Sequence, residues 1–349
     1  MRSRVLPALL VLCLLLTGCG RRAAPTLLSI GTADRGGSMT PAGKAIAAAL
    51  TKDGRKVSVS VSTGSAMNVE SLAAGNIDLG LVSGDVAHAA YEGQGAYDGQ
   101  PQSLRAVAAI YSQVSCWIAP QNTRAEYVHD LAGLRLGVGP EDSSTELTAR
   151  AAADALGLTD QGGALVNCSL ENGARQLADG TLDALHAFVG FPSPSLSQLA
   201  QAQPCRLLKL TEEELTRILI GNPSYFAVTI PAGTYAGQTE DVTTFGTRCL
   251  LCVRADAPEE LVYALTRDLY EAAAALAEEN PALAEMAQPE FLCRNLPPGR
   301  GRGDEKPLPD RHGGQPRGPH GGDPDLQRSG SGSSPGPHFR CDAGPAAAG

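Results

Sequence analysis

The chain has 349 residues, a length that suits about two domains. It carries 28 Lys and Arg against 37 Asp and Glu, so its formal net charge at pH 7 is −9. This acidic balance argues against a nucleic-acid partner, and an aromatic content of 4% argues against stacking platforms for bases or sugars.

The N-terminal segment predicts export. Two arginines precede an apolar run over residues 6–16, which is too short to span a bilayer comfortably. The sequence Leu-Thr-Gly-Cys that ends at Cys19 resembles the lipobox of bacterial lipoproteins. We therefore expect a signal peptide over 1–19, lipidation of Cys19, and a tether over 20–26 to the extracytoplasmic face of the cell membrane, in the periplasm or at the cell surface. The alternative is a plain secretory peptide with a chance cysteine.

A glycine-bearing turn over residues 31–38 is the first candidate ligand-binding feature. It joins a predicted strand over 27–30 to a predicted helix over 42–50, with Thr40 as N-cap and Pro41 at the first helical position. Such a turn directs backbone N–H groups and the positive end of the helix dipole at one point, which suits an anion. The alternative is a tight turn with no ligand. The turn matches neither G-x-G-x-x-G nor a Walker loop, so we expect no cofactor.

Two further strand-to-helix junctions repeat this pattern. Strands predicted over 56–61 and 77–82 are each followed by small polar residues and a helix. Ser65 is expected to cap the first of these helices, whereas Asp85 is either an N-cap or a ligand group. In an open α/β sheet such junctions meet at one edge, where ligands bind.

The central part of the chain continues the alternation of strands and helices. Strands predicted over 104–111 and 114–119 mark a crossing into a second lobe. A polar loop over 139–145 then joins a strand to a helix over 146–156. The remaining predicted elements are helices over 171–178, 195–202, 211–220 and 258–279, and strands over 134–138, 166–169, 182–189, 206–210, 225–230 and 243–254.

The sequence contains nine cysteines, and export permits disulfides that the sequence alone cannot pair. The C-x-x-C pair at 249–252 lies in an apolar run with no second pair beside it. We expect a buried structural role for it rather than redox or zinc chemistry.

The C-terminal segment over 293–349 is dense in Pro, Gly and Arg and shows no periodicity. Such a composition buries too little apolar surface to fold alone, so we expect a disordered tail. A frameshifted end is the interpretation we favour, and a native linker or tail is the alternative.

Several blocks together resemble the TAXI family of extracytoplasmic solute receptors, the binding subunits of TRAP transporters. They are the glycine-rich stretch 30–43, Thr63 to Glu70, residues 75–85, the loop over 134–147, and residues 179–184 with 190–192. The resemblance covers about residues 27–290. It implies an α/β, two-lobed periplasmic-binding-protein-like fold, with lobe 1 over 27–115 plus 225–290, lobe 2 over 116–224, and a ligand cleft between the lobes.

The resemblance also implies that the ligand is a small carboxylate or amino acid, such as glutamate or a related acid, delivered to TRAP permease membrane subunits. Backbone N–H groups of the 31–38 and 143–145 turns are expected to hold the carboxylate. Residues 191–192 either form an apolar wall or simply end a strand. The candidate ligand-binding residues are Thr32, Gly36, Gly37, Ser38, Ser65, Asn68, Asp85, Tyr111, Ser143, Ser144, Thr145, Phe191 and Pro192.

Two other functions remain as alternatives. A ligand-sensing lipoprotein that acts on a signalling partner would use the same cleft. An exported hydrolase is the third, but the chain contains neither a G-x-S-x-G elbow nor an H-E-x-x-H motif, and three of its six histidines lie in the C-terminal tail. We therefore expect a binding protein with no catalytic residues and no metal.

Overall fold

The structure is a computed structural model that describes residues 26–34, 37–52 and 54–293. The predicted signal peptide, Cys19, nearly all of the tether, Arg35, Gly36 and the tail beyond residue 293 lie outside these residues. Within the described residues, no helix combines the length and apolar character needed to cross a membrane.

The described chain alternates strands and helices, as its sequence pattern predicts. The strands are β1 (Thr26–Gly31), β2 (Arg55–Ser60), β3 (Leu79–Ser83), β4 (Leu104–Pro120), β5 (Arg135–Gly139), β6 (Ala164–Asn167), β7 (Ala184–Gly190), β8 (Cys205–Leu207), β9 (Phe226–Ile230) and β10 (Val242–Arg254). The helices are α1 (Met39–Leu50), α2 (Ser65–Ala73), α3 (Gly84–Glu92), α4 (Ser144–Leu156), α5 (Leu170–Ala178), α6 (Pro194–Ala202), α7 (Glu212–Gly221) and α8 (Glu259–Glu279). Short 3₁₀ turns cover Gly95–Tyr97, Val128–Leu131, Pro281–Ala287 and Pro289–Cys293.

One sheet connects both ends of the molecule, in the order β2-β1-β3-β10-β4-β7-β5-β6, with β8 beside β4 and β9 beside β10. The pairs among β1, β2 and β3 are parallel, as are those of β5 with β6 and β7. At the centre, β10 runs antiparallel to β3 and β4, and β4 runs antiparallel to β7. Two parallel α/β halves are thus joined by two long strands, which confirms the predicted two-lobed α/β class.

The sequence predicted two strands where β4 is one strand of 17 residues. The predicted break at residues 112–113 is wrong because both residues are buried and stay in the ladder. A strand that is buried on both faces is usually a continuous run of apolar residues. Two polar residues within such a run therefore look like a loop between two strands. Register shifts against β10 at Cys249/Leu250 and Leu251/Cys252 are the only irregularities in the described pairing of these two strands.

Each half of the sheet has its own hydrophobic core. Lobe 1 packs α1 and α8 against β1, β3 and the first part of β4, and a second cluster lies under α2 and α3. Lobe 2 packs α4 to α7 against β5, β7 and the second part of β4. Ile230 and Val242 lie in a lobe 2 cluster. We therefore propose the expected division with one change, in which the chain returns to lobe 1 within β10 rather than at residue 225.

The C-x-x-C pair lies within β10. Cys249 and Cys252 are fully buried free thiols, which confirms the structural role that the sequence predicts for them. Burial raises the pKa of the Cys249 thiol to about 12, so this thiol is unreactive at neutral pH.

A buried carboxylate ties α8 to the edge of lobe 1. Asp268 is 2% exposed and accepts hydrogen bonds from Lys52 at 2.9 Å, from Arg267 at 3.1 Å and from Arg55. Burial alone raises the pKa of this carboxyl, but the bonds from Lys52, Arg55 and Arg267 outweigh it and bring the pKa to about 2. The carboxylate therefore stabilises the fold above pH 4, and this stability is lost as the pH falls toward 2.

Replacing Asp268 tests this tie. Asp268→Asn removes the charge that three cations share, and we expect the free energy of unfolding at pH 7 to fall by about 2 kcal/mol. Chemical denaturation measures it. Glu271→Gln on the same helix is the matched control, because Glu271 is half-exposed and meets two of the same cations, Lys52 at 3.7 Å and Arg267 at 3.9 Å. An equal loss of unfolding free energy in both variants would contradict this role of Asp268.

Candidate ligand-binding cleft

A cavity of about 50 Å³ lies between the two lobes. Lobe 1 lines it with the segment before α1 and the segment before α2, and lobe 2 lines it with the starts of α4 and α5 and the end of β7. The lining residues are Ala33, Asp34, Gly37, Ser38, Met39, Thr63, Gly64, Gln113, Gly139, Pro140, Ser143, Ser144, Thr145, Leu170, His186, Ala187, Phe188 and Val189. The predicted cleft between the lobes is thus present.

Four helices begin at this cavity. The residues at or just before the starts of α1, α2, α4 and α5, namely Ser38, Gly64, Ser143 and Leu170, all line it. The N–H groups in the first turn of a helix have no acceptor inside the helix, and the helix dipole places partial positive charge there. The first turns of helices from both lobes therefore lie beside the cavity.

The cavity is closed on two sides by contacts between the lobes. Ser38 Oγ accepts a hydrogen bond from the N–H of Gly190 at 2.9 Å. Gly64 approaches the other lobe so closely that an added side chain would lie 3.4 Å from the Cα of Ser143, and its φ of 143° favours glycine. The small residues of the predicted turns therefore bring the lobes together.

Asp85 forms a third contact between the lobes. Its carboxylate, 6% exposed, accepts hydrogen bonds from Thr148 of α4 at 3.1 Å and from the hydroxyl of Tyr225 at 3.0 Å. It is not the N-cap of α3, because that helix begins at Gly84 and Ser83 precedes it. Asp85 does not line the cavity, and the structure gives it the role of holding the lobes together.

Three other candidate residues hold the strand ends in place. Asn68 donates to the carbonyl oxygens of Thr32 at 2.6 Å and Leu81 at 2.7 Å. Ser65 Oγ accepts from the N–H of Ser83 at 2.9 Å, and Thr32 Oγ1 lies 3.2 Å from Thr40 Oγ1. All of these side chains are buried away from the cavity, so they position the turns that line it.

The aromatic candidates also lie outside the cavity. Tyr111 is 1% exposed in the core of lobe 1, where burial raises the pKa of its hydroxyl well above the ordinary value. Phe191 packs into a lobe 2 cluster and is joined to the exposed Pro192 by a cis peptide bond. The expected apolar wall at residues 191–192 is formed instead by Met39, Leu170, Phe188 and Val189. Gly36 lies outside the described residues. The candidates that do line the cavity are Gly37, Ser38, Ser143, Ser144 and Thr145.

Sequence reasoning missed several polar residues of the cavity, of which Thr63 is exposed and Asp34 and Gln113 lie at the junction of the lobes. Asp34 lies in the turn before α1, where burial raises the pKa of its carboxyl and the N–H of Gly37 lowers it by a hydrogen bond. Gln113 lies in β4 at the crossing between the lobes and is 2% exposed. No spacing signal marked Gln113, since the sequence placed a strand break there. Among the described lining residues, Asp34 is the single carboxylate, and there is no Lys or Arg.

His186 is another lining residue that sequence reasoning missed. It is 1% exposed on β7, and burial lowers the pKa of its imidazole to about 3. Its Nδ1 lies 3.2 Å from the carbonyl of Thr145 and its Nε2 lies 3.0 Å from Ser115 Oγ. The neutral ring therefore donates from Nδ1 and accepts at Nε2. It connects the start of α4 to two strands and brings no positive charge to the cavity.

Comparisons with known proteins identify a family and a set of similar structures. The profile of the NMT1-like family matches residues 30–298. The periplasmic aliphatic sulphonate binding protein SsuA from Escherichia coli is 17% identical, with 77% of this chain and 76% of that chain covered and a TM-score of 0.45. The ligand binding component of an ABC-type import system from Staphylococcus aureus, with zinc bound, is 11% identical, with coverage of 76% and 81% and a TM-score of 0.48. An ancestral arginine-binding protein bound to arginine is 14% identical, with coverage of 74% and 96% and a TM-score of 0.44.

The burial of His186 predicts sensitivity to acid. Below about pH 6.5 the unfolded chain binds a proton that the folded chain does not bind until about pH 3. Stability is therefore lost as the pH falls from 6.5 toward 3, by about 1.4 kcal/mol per pH unit from this group. Urea denaturation at pH 7 and at pH 5 measures the loss.

His186→Gln should remove this part of the pH dependence, whatever it does to stability at pH 7. His88→Gln on α3, outside the cavity, is the matched control for loss of a histidine. Parallel curves of stability against pH for the wild type and His186→Gln would contradict the assignment.

Proposed function

This chain belongs to the NMT1-like family, and on that premise we propose that it is an extracytoplasmic solute-binding receptor of a transporter. The observation that carries the proposal is the convergence of four helix starts from two lobes on one cavity. Concave sites between lobes, with a few polar groups that fix the ligand, are typical of small-molecule binding.

The ligand that this cavity suits is a small carboxylate. Residues at the starts of α1 and α2 in lobe 1 and of α4 in lobe 2 line the cavity. Backbone N–H groups at helix starts bind anions without the help of a charged side chain. A zwitterionic amino acid is accommodated as well, because Asp34 supplies the one carboxylate among the described lining residues and would pair with an ammonium group. Asp34 would thus supply the acidic ligand group for which the sequence suggested Asp85.

Binding would couple to closure of the lobes. The strands β4 and β10 run through both lobes, so bending near the register shift at Cys249/Leu250 would open the cleft. Closing it excludes water and strengthens each electrostatic contact inside. The enclosed volume of about 50 Å³ is a third of the ~150 Å³ cavity that holds benzene in an engineered lysozyme. A ligand of glutamate size therefore requires the lobes to move further apart.

The finer parts of the proposal rest on the sequence motifs. The lipobox-like sequence before Cys19 supports a lipid anchor on the extracytoplasmic face of the cell membrane. The order of the glycine-rich blocks supports delivery of the solute to a TRAP-type permease. The first ligand to test is therefore a carboxylate or an amino acid rather than a metal or a nucleotide.

A charge placed at the rim of the cavity tests the anion site. Thr63 lines the cavity and is exposed, so its replacement leaves the core intact. Thr63→Glu adds a carboxylate beside the bound anion and should weaken its binding about ten-fold, whereas the neutral isostere Thr63→Gln should change it little. The measurement is the rise in melting temperature of the full chain over a titration series of small carboxylates and amino acids.

Two results would refute the proposal. One is the absence of any thermal shift from a wild-type protein that melts cooperatively. The other is unchanged ligand affinity in a folded Thr63→Glu, which would place the bound anion away from this cavity.

A further inference from the structure

Gln113 lines the cavity, and its side-chain oxygen has no hydrogen-bond donor among the described residues. This Oε1 atom is buried, and the residue as a whole is 2% exposed. A buried amide oxygen without a donor is costly, by about as much as a lost hydrogen bond. Such an atom in a binding cavity indicates a group that the ligand is expected to satisfy.

The neighbouring groups fix which end of this amide is the acceptor. Gln113 Nε2 lies 3.5 Å from the carbonyl oxygen of Phe188, which is itself a lining residue. Turning the amide over would place Oε1 against that carbonyl, so two acceptors would face each other. The amide nitrogen therefore belongs on the Phe188 side, and the oxygen is the atom available to a ligand.

The backbone of Gln113 is held on both sides. It pairs with Thr247 of β10 in one direction and with Gly190 of β7 in the other. Its carbonyl lies so close to Gly246 that an added side chain there would approach it to 2.4 Å. The N–H of Gly190 also bonds to Ser38, the contact that closes the lobes. Gln113 therefore has a fixed position at the junction of both lobes, next to the point where they close.

We propose that Gln113 determines ligand specificity: its Oε1 accepts a hydrogen bond from an N–H or O–H group of the bound carboxylate. The helix starts hold the anionic end, as proposed above. Gln113 contacts the polar group on the carbon chain next to the carboxylate. The site then selects carboxylates that carry an amino or hydroxyl group over plain carboxylates of the same size. This inference rests on the proposed function and adds a chemical requirement to it.

Three ligands of one carbon skeleton test this requirement. Propionate has no donor beside its carboxylate, lactate has a hydroxyl group there, and alanine has an ammonium group. Isothermal titration of the full wild-type chain should give lactate and alanine an affinity about ten-fold or more above that of propionate. The neutral hydroxyl of lactate separates the effect of Gln113 from ion pairing of alanine with Asp34.

A variant then assigns the preference to this side chain. Gln113→Met keeps the length and volume but removes the acceptor, so lactate should lose its advantage while propionate binding stays within about two-fold. Gln113→Asn keeps the amide but withdraws it by one methylene, and should also reduce the preference. Melting curves without ligand show that each variant is folded, and the wild-type comparison does not depend on either variant.

The outcomes separate the two claims. Equal affinity of the wild type for all three ligands, or an unchanged lactate preference in a folded Gln113→Met, overturns the role of Gln113 and leaves the receptor standing. Failure of the folded wild type to bind any small carboxylate or amino acid overturns the proposed function and this inference with it.

Discussion

The structure depends on two long strands that belong to both lobes. β4 and β10 pair with each other, β10 pairs with β3 of lobe 1, and β4 pairs with β7 of lobe 2. Any movement of one lobe relative to the other would therefore have to bend these two strands. The parallel strands on either side end near the same cleft, so the helices that follow them begin there. A site rich in backbone donors is a consequence of this topology and needs no special side chain. The role that we propose for the side chains is to select the ligand and to hold the lobes together.

The polar residues around the cleft divide into three layers with different tasks. Asn68 and Ser65 bond strand ends to turns within lobe 1, and so fix where the helix starts point. Asp85 and Ser38 bond one lobe to the other and so set the free energy of closure. Asp34, Gln113 and the first residues of α4 face the enclosed space. A substitution in the first layer should affect folding, one in the second should affect closure, and one in the third should affect ligand choice.

Much of this fold follows from sequence pattern, and much of the site does not. The junctions before α1, α2 and α4 were predicted because glycine and small polar residues after apolar runs are a local signal. The partners of Asp85 and Asn68 were not. Thr148 lies 63 residues from Asp85 in the sequence, and Leu81 lies on β3 whereas Asn68 lies on α2. Gln113 was missed for the opposite reason. A polar residue inside a strand buried on both faces looks like a break until pairing on both sides is known.

We propose above all that backbone N–H groups from both lobes hold one anion. Amide resonances of Met39, Ser144 and Thr145, followed by ¹H–¹⁵N correlation spectroscopy during titration with lactate, report on those groups directly. We predict large shifts of amide protons at the starts of α1 and α4 that saturate at the same ligand concentration. Shifts confined to one lobe, or spread over surfaces away from the cleft, would contradict it.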